Sequence, residues 1–354
     1  MTISDTPSVM LVTADGETRT FEGKSGQSVV EIAENGGTLI ASLCRQGSCG
    51  TCVGRVTSGS WDSRPFSPDA LGAGTPEDMV LLCCTEPTSD LEVALDYTAD
   101  RLASGAPPER RGTITLLDEL TPGVFRLKVQ LVADEVYGAG AEFAAGQFCQ
   151  LEAPGTGVLR AYSMANVANW DGELEFLIHV IEGGVFTGWL SKQAALGDEL
   201  RVVGPQGTFG LVENGMRPRW FLGGGCGFAP LQSMLRRMAE WGDPQPVRLY
   251  FGVNTSGAQF ADGDIGDLLD LLPQLEVTSC VWTPEGELDA TDDPRWCRMP
   301  GTSVDAFIED VLQADETPDV YVCGPPAMVA ALEARLDAHG IDPALIHAER
   351  ISEN

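Results

Sequence analysis

The sequence predicts three folds in succession: a small mixed β domain with one helix, an antiparallel β-barrel with one helix, and a doubly wound α/β domain. Three observations carry this expectation. A cysteine-rich loop follows a hairpin and a short helix near the N-terminus, strand-like runs dominate the middle third, and strands alternate with helical patterns from Arg219 onward. At 354 residues and 43% hydrophobic content, the chain is long enough for two or three domains with cores of their own.

The first domain, 1–103, opens with Val9-Met10-Leu11-Val12 and Thr18-Arg19-Thr20-Phe21, strand-like runs that turn at Asp15-Gly16. Ser28 caps a short helix carrying Val29, Val30, Ile32 and Ala33, and Gly36-Gly37 ends it. Cys44, Cys49 and Cys52 follow in the spacing C-x4-C-x2-C, with Cys83 and Cys84 further on. A tight loop can present three thiolates to one face of a small iron–sulfide cluster while its amides stabilise the negative charge. Gly47 and Gly50 allow the positive φ such wrapping requires. Ordinary buried thiols, or a zinc site of two close pairs, fit this triplet poorly. The spacing resembles that of plant-type ferredoxins, β-grasp proteins holding a [2Fe–2S] cluster near roughly −400 mV. Cys83 and Cys84 both qualify by type as the fourth ligand. The run Cys83-Cys84-Thr85-Glu86-Pro87-Thr88-Ser89-Asp90 resembles the ferredoxin C-x3-P-T-S-D, which selects Cys83 and leaves Cys84 as the alternative.

Residues 104–111, polar and Pro-rich, read as a linker. In the second domain, 112–213, the runs Thr113 to Leu117, Val124 to Leu131, Gln147 to Leu151 and Leu174 to Ile181 read as strands, with a helix from Phe186 to Ala195. The third domain, 214–354, starts with Trp220-Phe221-Leu222, continues through glycines into a helix from Pro230 to Trp241, and returns as strand over Val247 to Val253.

The net charge of −30, with only Lys24, Lys128 and Lys192 as lysines, argues against nucleic acid or an anionic membrane as partner. The N-terminus, Met1-Thr2-Ile3-Ser4-Asp5, has no leader pattern and no apolar run is long enough to span a bilayer, so a cytoplasmic protein is expected. Cys149, Cys226, Cys280 and Cys297 read as reduced, mostly buried thiols.

Arg160-Ala161-Tyr162-Ser163 puts Arg160 and Tyr162 on one strand face, where one can meet a diphosphate and the other stack on a ring. Gly183-Gly184-Val185-Phe186-Thr187 precedes a helix whose free amides suit a diphosphate. Gly223-Gly224-Gly225-Cys226-Gly227-Phe228-Ala229-Pro230 lies between strand and helix, the usual seat of a dinucleotide diphosphate, although it is not G-x-G-x-x-G. Tyr321-Val322-Cys323-Gly324-Pro325-Pro326-Ala327-Met328 ends another strand at the same edge, making Cys323 a candidate at the reacting ring or, equally, a small buried thiol.

Together these motifs resemble the ferredoxin–NAD(P)+ reductase superfamily in its fused form, with an N-terminal ferredoxin joined to FAD and NAD modules. The resemblance implies Arg160 on the FAD diphosphate, Tyr162 on the isoalloxazine, and Ser163 at the flavin N5 edge. It further implies cofactor contacts at Gly184, Val185, Thr187, Gly223, Gly224, Gly225, Gly227, Pro230, Gly324 and Pro325, with Cys323 and Glu349 near the nicotinamide and flavin. Leu43-Cys44-Arg45-Gln46-Gly47, Tyr250-Phe251-Gly252-Val253-Asn254-Thr255 and Cys280-Val281-Trp282 are similar to the reductase of soluble methane monooxygenase and its alkane, alkene and phenol relatives. In place of an aromatic C-terminus stands His347-Ala348-Glu349-Arg350-Ile351. The implied function is an NADH:acceptor reductase carrying electrons through FAD and [2Fe–2S] to a diiron hydroxylase. A benzoate-type dioxygenase reductase and a stand-alone reductase for a deoxysugar dehydratase are the alternatives.

Overall fold

The computed structural model describes residues 6–42, 44–71, 75–105, 107–213 and 215–351. Met1–Asp5, Leu43 of the monooxygenase-reductase match and Ala106 of the linker stretch lie outside the described residues. Two compact units result, Met1–Pro108 with Gln206–Thr208 and Asn354, and Glu109–Pro205 with Phe209–Glu353.

In the first unit, β1 (Ser8–Val12) and β2 (Thr18–Glu22) form the expected hairpin, with Gly16 at φ 84° in the turn. Helix α1 (Val29–Asn35) starts from a capping box: Ser28 Oγ accepts from the Glu31 amide at 3.2 Å, and Glu31 Oε2 accepts from the Ser28 amide at 2.7 Å. Its buried face of Val29, Val30, Ile32 and Ala33 packs on the sheet, the larger side chains each stabilising by roughly 1.5–3 kcal/mol. Short strands follow: β3 (Thr38–Leu39), β4 (Val53–Ser58), β5 (Trp61–Ser63), β6 (Met79–Leu81), β7 (Thr85–Pro87), β8 (Leu91–Ala94) and β9 (Ala103–Ser104). The main sheet runs β2-β1-β8-β4-β6, with β1 and β8 parallel. This is the mixed sheet of a β-grasp.

The second unit begins with β10 (Glu109–Thr121), β11 (Val124–Leu131), β12 (Phe148–Glu152), β13 (Leu159–Ser163) and β14 (Glu173–His179), then α2 (Val185–Lys192) and β15 (Glu199–Gln206). Their order is β13-β12-β15-β10-β11-β14. The two edges meet where Met164 bridges Phe176 and the Ala165 amide donates to Glu175 O at 2.8 Å, closing a barrel around Leu127, Leu151, Phe148 and Phe176. The linker reading is corrected at both ends, because Ser104 closes β9 and Glu109 opens β10. Arg110 is buried rather than solvated, its guanidinium donating to the carbonyls of Gly140, Val132 and Gly138.

The rest of the unit alternates strand and helix: β16 (Arg219–Gly224), α3 (Phe228–Trp241), β17 (Val247–Thr255), α4 (Asp262–Leu271), β18 (Leu275–Thr283), β19 (Trp296–Pro300), α5 (Ser303–Val311), β20 (Asp319–Gly324), α6 (Pro326–Ala338) and β21 (Ile346–Arg350). The parallel sheet runs β19-β18-β17-β16-β20-β21. From β16 the chain winds to one side through β19 and then crosses to β20 on the other, so the topological switch point falls between β16 and β20. Among the described residues, no helix is long and apolar enough to cross a membrane.

Candidate functional site

The thiol loop turns its amides inward. Gln46 N and Ser48 N donate to Cys44 Sγ at 3.4 and 3.3 Å, and Cys83 N donates to Cys52 Sγ at 3.4 Å. Arg45 at φ 55° and Gly47 at φ 71° supply the left-handed turns that aim those amides. A Cβ on Gly47 would lie 2.7 Å from Cys84 Sγ, so only glycine fits there. The thiols associate in two pairs, Cys44 with Cys49 and Cys52 with Cys83. Among the described residues no three side chains converge as a single metal ion would need. A two-iron cluster held by four thiolates suits two pairs, and the inward amides suit its negative charge.

The hydrogen bond from Cys49 draws the Cys44 thiol down to about 4, helped by Ser48 and the Gln46 amide against the opposing effect of burial. Cys83 is pushed up by its hydrogen bond to Cys52 and by burial. Cys84 sits differently. Its sulfur lies 3.7 Å from Cys83 Sγ and faces Pro65 O at 3.9 Å, and burial pushes it up to about 12.

In the second unit, β13 sets Tyr162 opposite Cys149 and Arg160 opposite Leu151. The Tyr162 ring packs 5.1 Å from Phe186 of α2, tilted by 41°. Arg160 is half-buried, with Nη1 donating to its neighbour's carbonyl, Leu159 O, at 2.9 Å. Gly184 is the N-cap of α2 and Val185 its exposed first residue. Thr187 is buried, its hydroxyl shared with the amide and carbonyl of Ile181 at 3.2 and 3.3 Å, so its side chain holds the Gly183-Gly184 turn in place.

The switch point gathers the remaining candidates. Gly223 and Gly224 end β16, Gly225 to Gly227 form one tight turn, and Pro230 lies in the first turn of α3. Cys323 pairs with Gly223 on one side and with Glu349 on the other. A Cβ on Gly224 would lie 2.6 Å from Met328 Sδ, and one on Gly227 would strike the Cys323 carbonyl. Glycine therefore lets the loops after β16 and β20, the latter Gly324-Pro325, approach each other closely. From the barrel, Ser163 Oγ donates to Glu349 Oε2 at 3.3 Å, while Glu349 Oε1 has no partner among the described residues. Burial raises the Glu349 carboxyl to about 8 despite the Ser163 hydrogen bond. Burial, then the charges of Glu349 and Cys226, hold the Cys323 thiol well above its usual range.

Two residues that sequence reasoning missed, Ser233 and Arg236, bond the chain just beyond β13 to α3. They belong to no motif.

Comparison with known proteins finds three domains in the same order. Residues 12–88 match the 2Fe-2S iron-sulfur cluster binding domain, 122–210 the oxidoreductase FAD-binding domain and 221–334 the oxidoreductase NAD-binding domain. The chain is 33% identical over 320 residues to the reductase component of propane 2-monooxygenase from Rhodococcus jostii (strain RHA1), covering 88% of this chain and 83% of that one. To methane monooxygenase component C of Methylosinus trichosporium it is 35% identical over 280 residues, covering 78% and 81%. The crystal structure of the Amycolatopsis cytochrome P450 reductase GcoB superposes with a TM-score of 0.71 at 30% identity, covering 97% of this chain and 98% of that one. Carrying the domains for [2Fe–2S], FAD and NADH in one polypeptide, the chain belongs to the ferredoxin–NAD(P)+ reductase superfamily, as an NADH-dependent reductase component of an oxygenase system.

Proposed function

We propose that the chain delivers electrons from NADH to the diiron hydroxylase of a multicomponent monooxygenase. The observation that carries the site assignment is the convergence of Ser163 from the barrel with Cys323 and Glu349 at the switch point. Cys44, Cys49, Cys52 and Cys83 hold the cluster, Arg160 the FAD diphosphate, Tyr162 the flavin ring, and the Gly223 to Pro230 turn the NADH diphosphate. When bound, FAD takes a pair of electrons as hydride and releases them singly to the one-electron cluster.

The chain's own residues prepare that exchange. Glu349, neutral up to about pH 8, keeps its proton in a dry site. Ser163 occupies Oε2, so the Oε1 hydroxyl of the protonated acid is free to donate. Cys323, buried and held neutral, lies opposite the acid on the neighbouring strand. The thiol loop presents amide donors where thiolates gather charge.

The propane and methane monooxygenase relatives favour the diiron acceptor. The likeness to a cytochrome P450 reductase over nearly the whole chain favours a haem acceptor as second reading. The cofactor-loaded chain, mixed with NADH and in turn with a purified diiron hydroxylase, a cytochrome P450 and a Rieske dioxygenase, distinguishes them. Fast, saturable reduction of the hydroxylase is expected, and preferential reduction of either other acceptor overturns the diiron assignment.

A further inference from the structure

A buried polar cluster outside the site lies between the barrel and the parallel sheet of the second unit. Ser233 Oγ, fully buried on α3, donates to Asn166 O at 2.6 Å. Arg236 Nη1, one turn on, donates to Ala165 O at 3.1 Å and reaches Glu175 Oε2 at 3.3 Å, while its Nη2 lies 3.6 Å from Asp264. Arg126 of β11 pairs with the same two carboxylates, Glu175 at 3.2 Å and Asp264 by a close contact. Gln232 Nε2 donates to Asp264 Oδ1 at 2.8 Å, and Asn166 Oδ1 accepts the Glu175 amide at 3.0 Å. With Lys128, which reaches Glu175 and pairs with Glu173, three cations face three carboxylates, so the cluster is neutral.

Stability alone is a weak account of this arrangement, since replacing a buried ion pair by well-packed apolar side chains is often neutral or stabilising. Hydrogen bonds add direction. An apolar seam tolerates sliding, whereas Ser233 and Arg236 bond to two consecutive carbonyls and so fix both register and distance. The bonded carbonyls lie two and three residues beyond Ser163, and the donors six and nine residues beyond Gly227. The link thus runs by short covalent paths from the chain segment at the flavin edge to the turn at the dinucleotide.

We propose that Ser233 and Arg236 are positioning residues for hydride transfer, clasping the flavin-binding strand to the nucleotide-binding helix. The proposal rests on the reading of Arg160 to Ser163 as the flavin strand. In the reaction NADH gives up two electrons and one proton as hydride, leaving NAD+, and the flavin gains them. The donor carbon and acceptor nitrogen must be held roughly 3–3.5 Å apart, and a misplacement of about 1 Å costs on the order of 10²-fold in rate.

The test uses the full, cofactor-loaded chain with Ser233→Ala, Arg236→Gln and Arg236→Lys. Anaerobic stopped-flow gives the limiting rate of flavin reduction by NADH and the intensity of the nicotinamide–flavin charge-transfer band. Amide exchange over residues 164–166 is measured on the same proteins. Ser233→Ala and Arg236→Gln are expected to slow flavin reduction at saturating NADH by tenfold or more, weaken the charge-transfer band and speed that exchange. FAD content and flavin midpoint potential stay as in the wild type, and Arg236→Lys recovers part of the rate. A wild-type limiting rate in Ser233→Ala, which leaves every charge paired, overturns the clasp even if Arg236→Gln fails to fold. So does a rate that falls only in step with FAD content. Wild-type FAD affinity in Arg160→Ala would instead remove the flavin-strand reading beneath the proposal.

Discussion

The thiol loop and the crevice at the switch point differ in what they place beside a buried acid. The loop lays the Gln46 and Ser48 amides on Cys44 Sγ, and this thiol, bonded first by Cys49, is drawn down, while Cys49, Cys83 and Cys84 are pushed up. The crevice gives Glu349 one weak hydroxyl contact and gives Cys323 only neighbouring negative charge, and both are pushed up. A cluster bound by four thiolates needs compensating dipoles, so one region is built to hold anions. A site that receives hydride gains negative charge as it reacts, and flanking groups that stay neutral do not oppose that gain. Burial pushes acids up in both regions, and donors beside a buried sulfur, as at Cys44, work against it.

The sharpest way to break the comparison is at the loop. Cys83→Ser is expected to abolish the [2Fe–2S] absorbance and paramagnetic signal, while Cys84→Ser spares both, because Cys83 pairs with Cys52 and Cys84 faces Pro65. The reverse pattern would reassign the fourth ligand.

Next in size is the separation of the two regions. A fragment starting at Pro107 retains all of β10 and Arg110 with its three carbonyl partners, whereas one starting at Gly112 keeps those carbonyls but loses Arg110 and the start of β10. The longer fragment should bind FAD and reduce ferricyanide with NADH, and the shorter should be recovered misfolded or flavin-free. Equal activity of the two would deny Arg110 its role in the barrel.

Glu349 offers a test by pH. The unfolded chain ionises this carboxyl near 4.5, whereas the folded protein keeps the proton to about 8. Across that window the unfolded chain binds fewer protons, so this group lowers stability as pH rises and its effect levels off above 8. Glu349→Gln removes that fall. Unfolding free energies of variant and wild type should diverge between pH 5 and 8 in the variant's favour, by on the order of a few kcal/mol at the upper end, with melting temperatures diverging in the same direction. Parallel curves would mean that donors do reach the carboxylate.

The smallest effect concerns the choice of dinucleotide. No lysine or arginine occurs from Leu249 to Pro294, which includes the end of β17, where a 2′-phosphate would need one. Nearby arginines are already engaged: Arg295 with Asp293 at 2.6 Å, Arg298 with Asp262 at 2.7 Å, Arg237 with Glu240 at 2.8 Å, and Arg236 in the clasp. A kcat/KM for NADH roughly tenfold or more above that for NADPH is expected, equivalent to about 1.4 kcal/mol. Comparable values would show that one of these pairs opens to receive the phosphate.

By itself the sequence determined what depends on neighbours along the chain. The C-x4-C-x2-C spacing, the glycines of the Gly223 to Gly227 turn and the Ser28 cap are legible because covalent geometry makes each serve a task within a few residues. Glu349 entered only through family resemblance, since nothing around it in the chain announces a partner 186 positions away. Arg110 read as linker because its bonding carbonyls lie 22 to 30 residues on, and a basic residue beside prolines has the composition of a solvated segment. Ser233 and Arg236 were hidden for the same reason, as ordinary polar positions on an amphipathic helix. Only the tertiary structure decided which polar side chains lost their water, because desolvation depends on what packs across the fold, and that determines which serine aligns a site, which arginine is buried and which carboxyl keeps its proton.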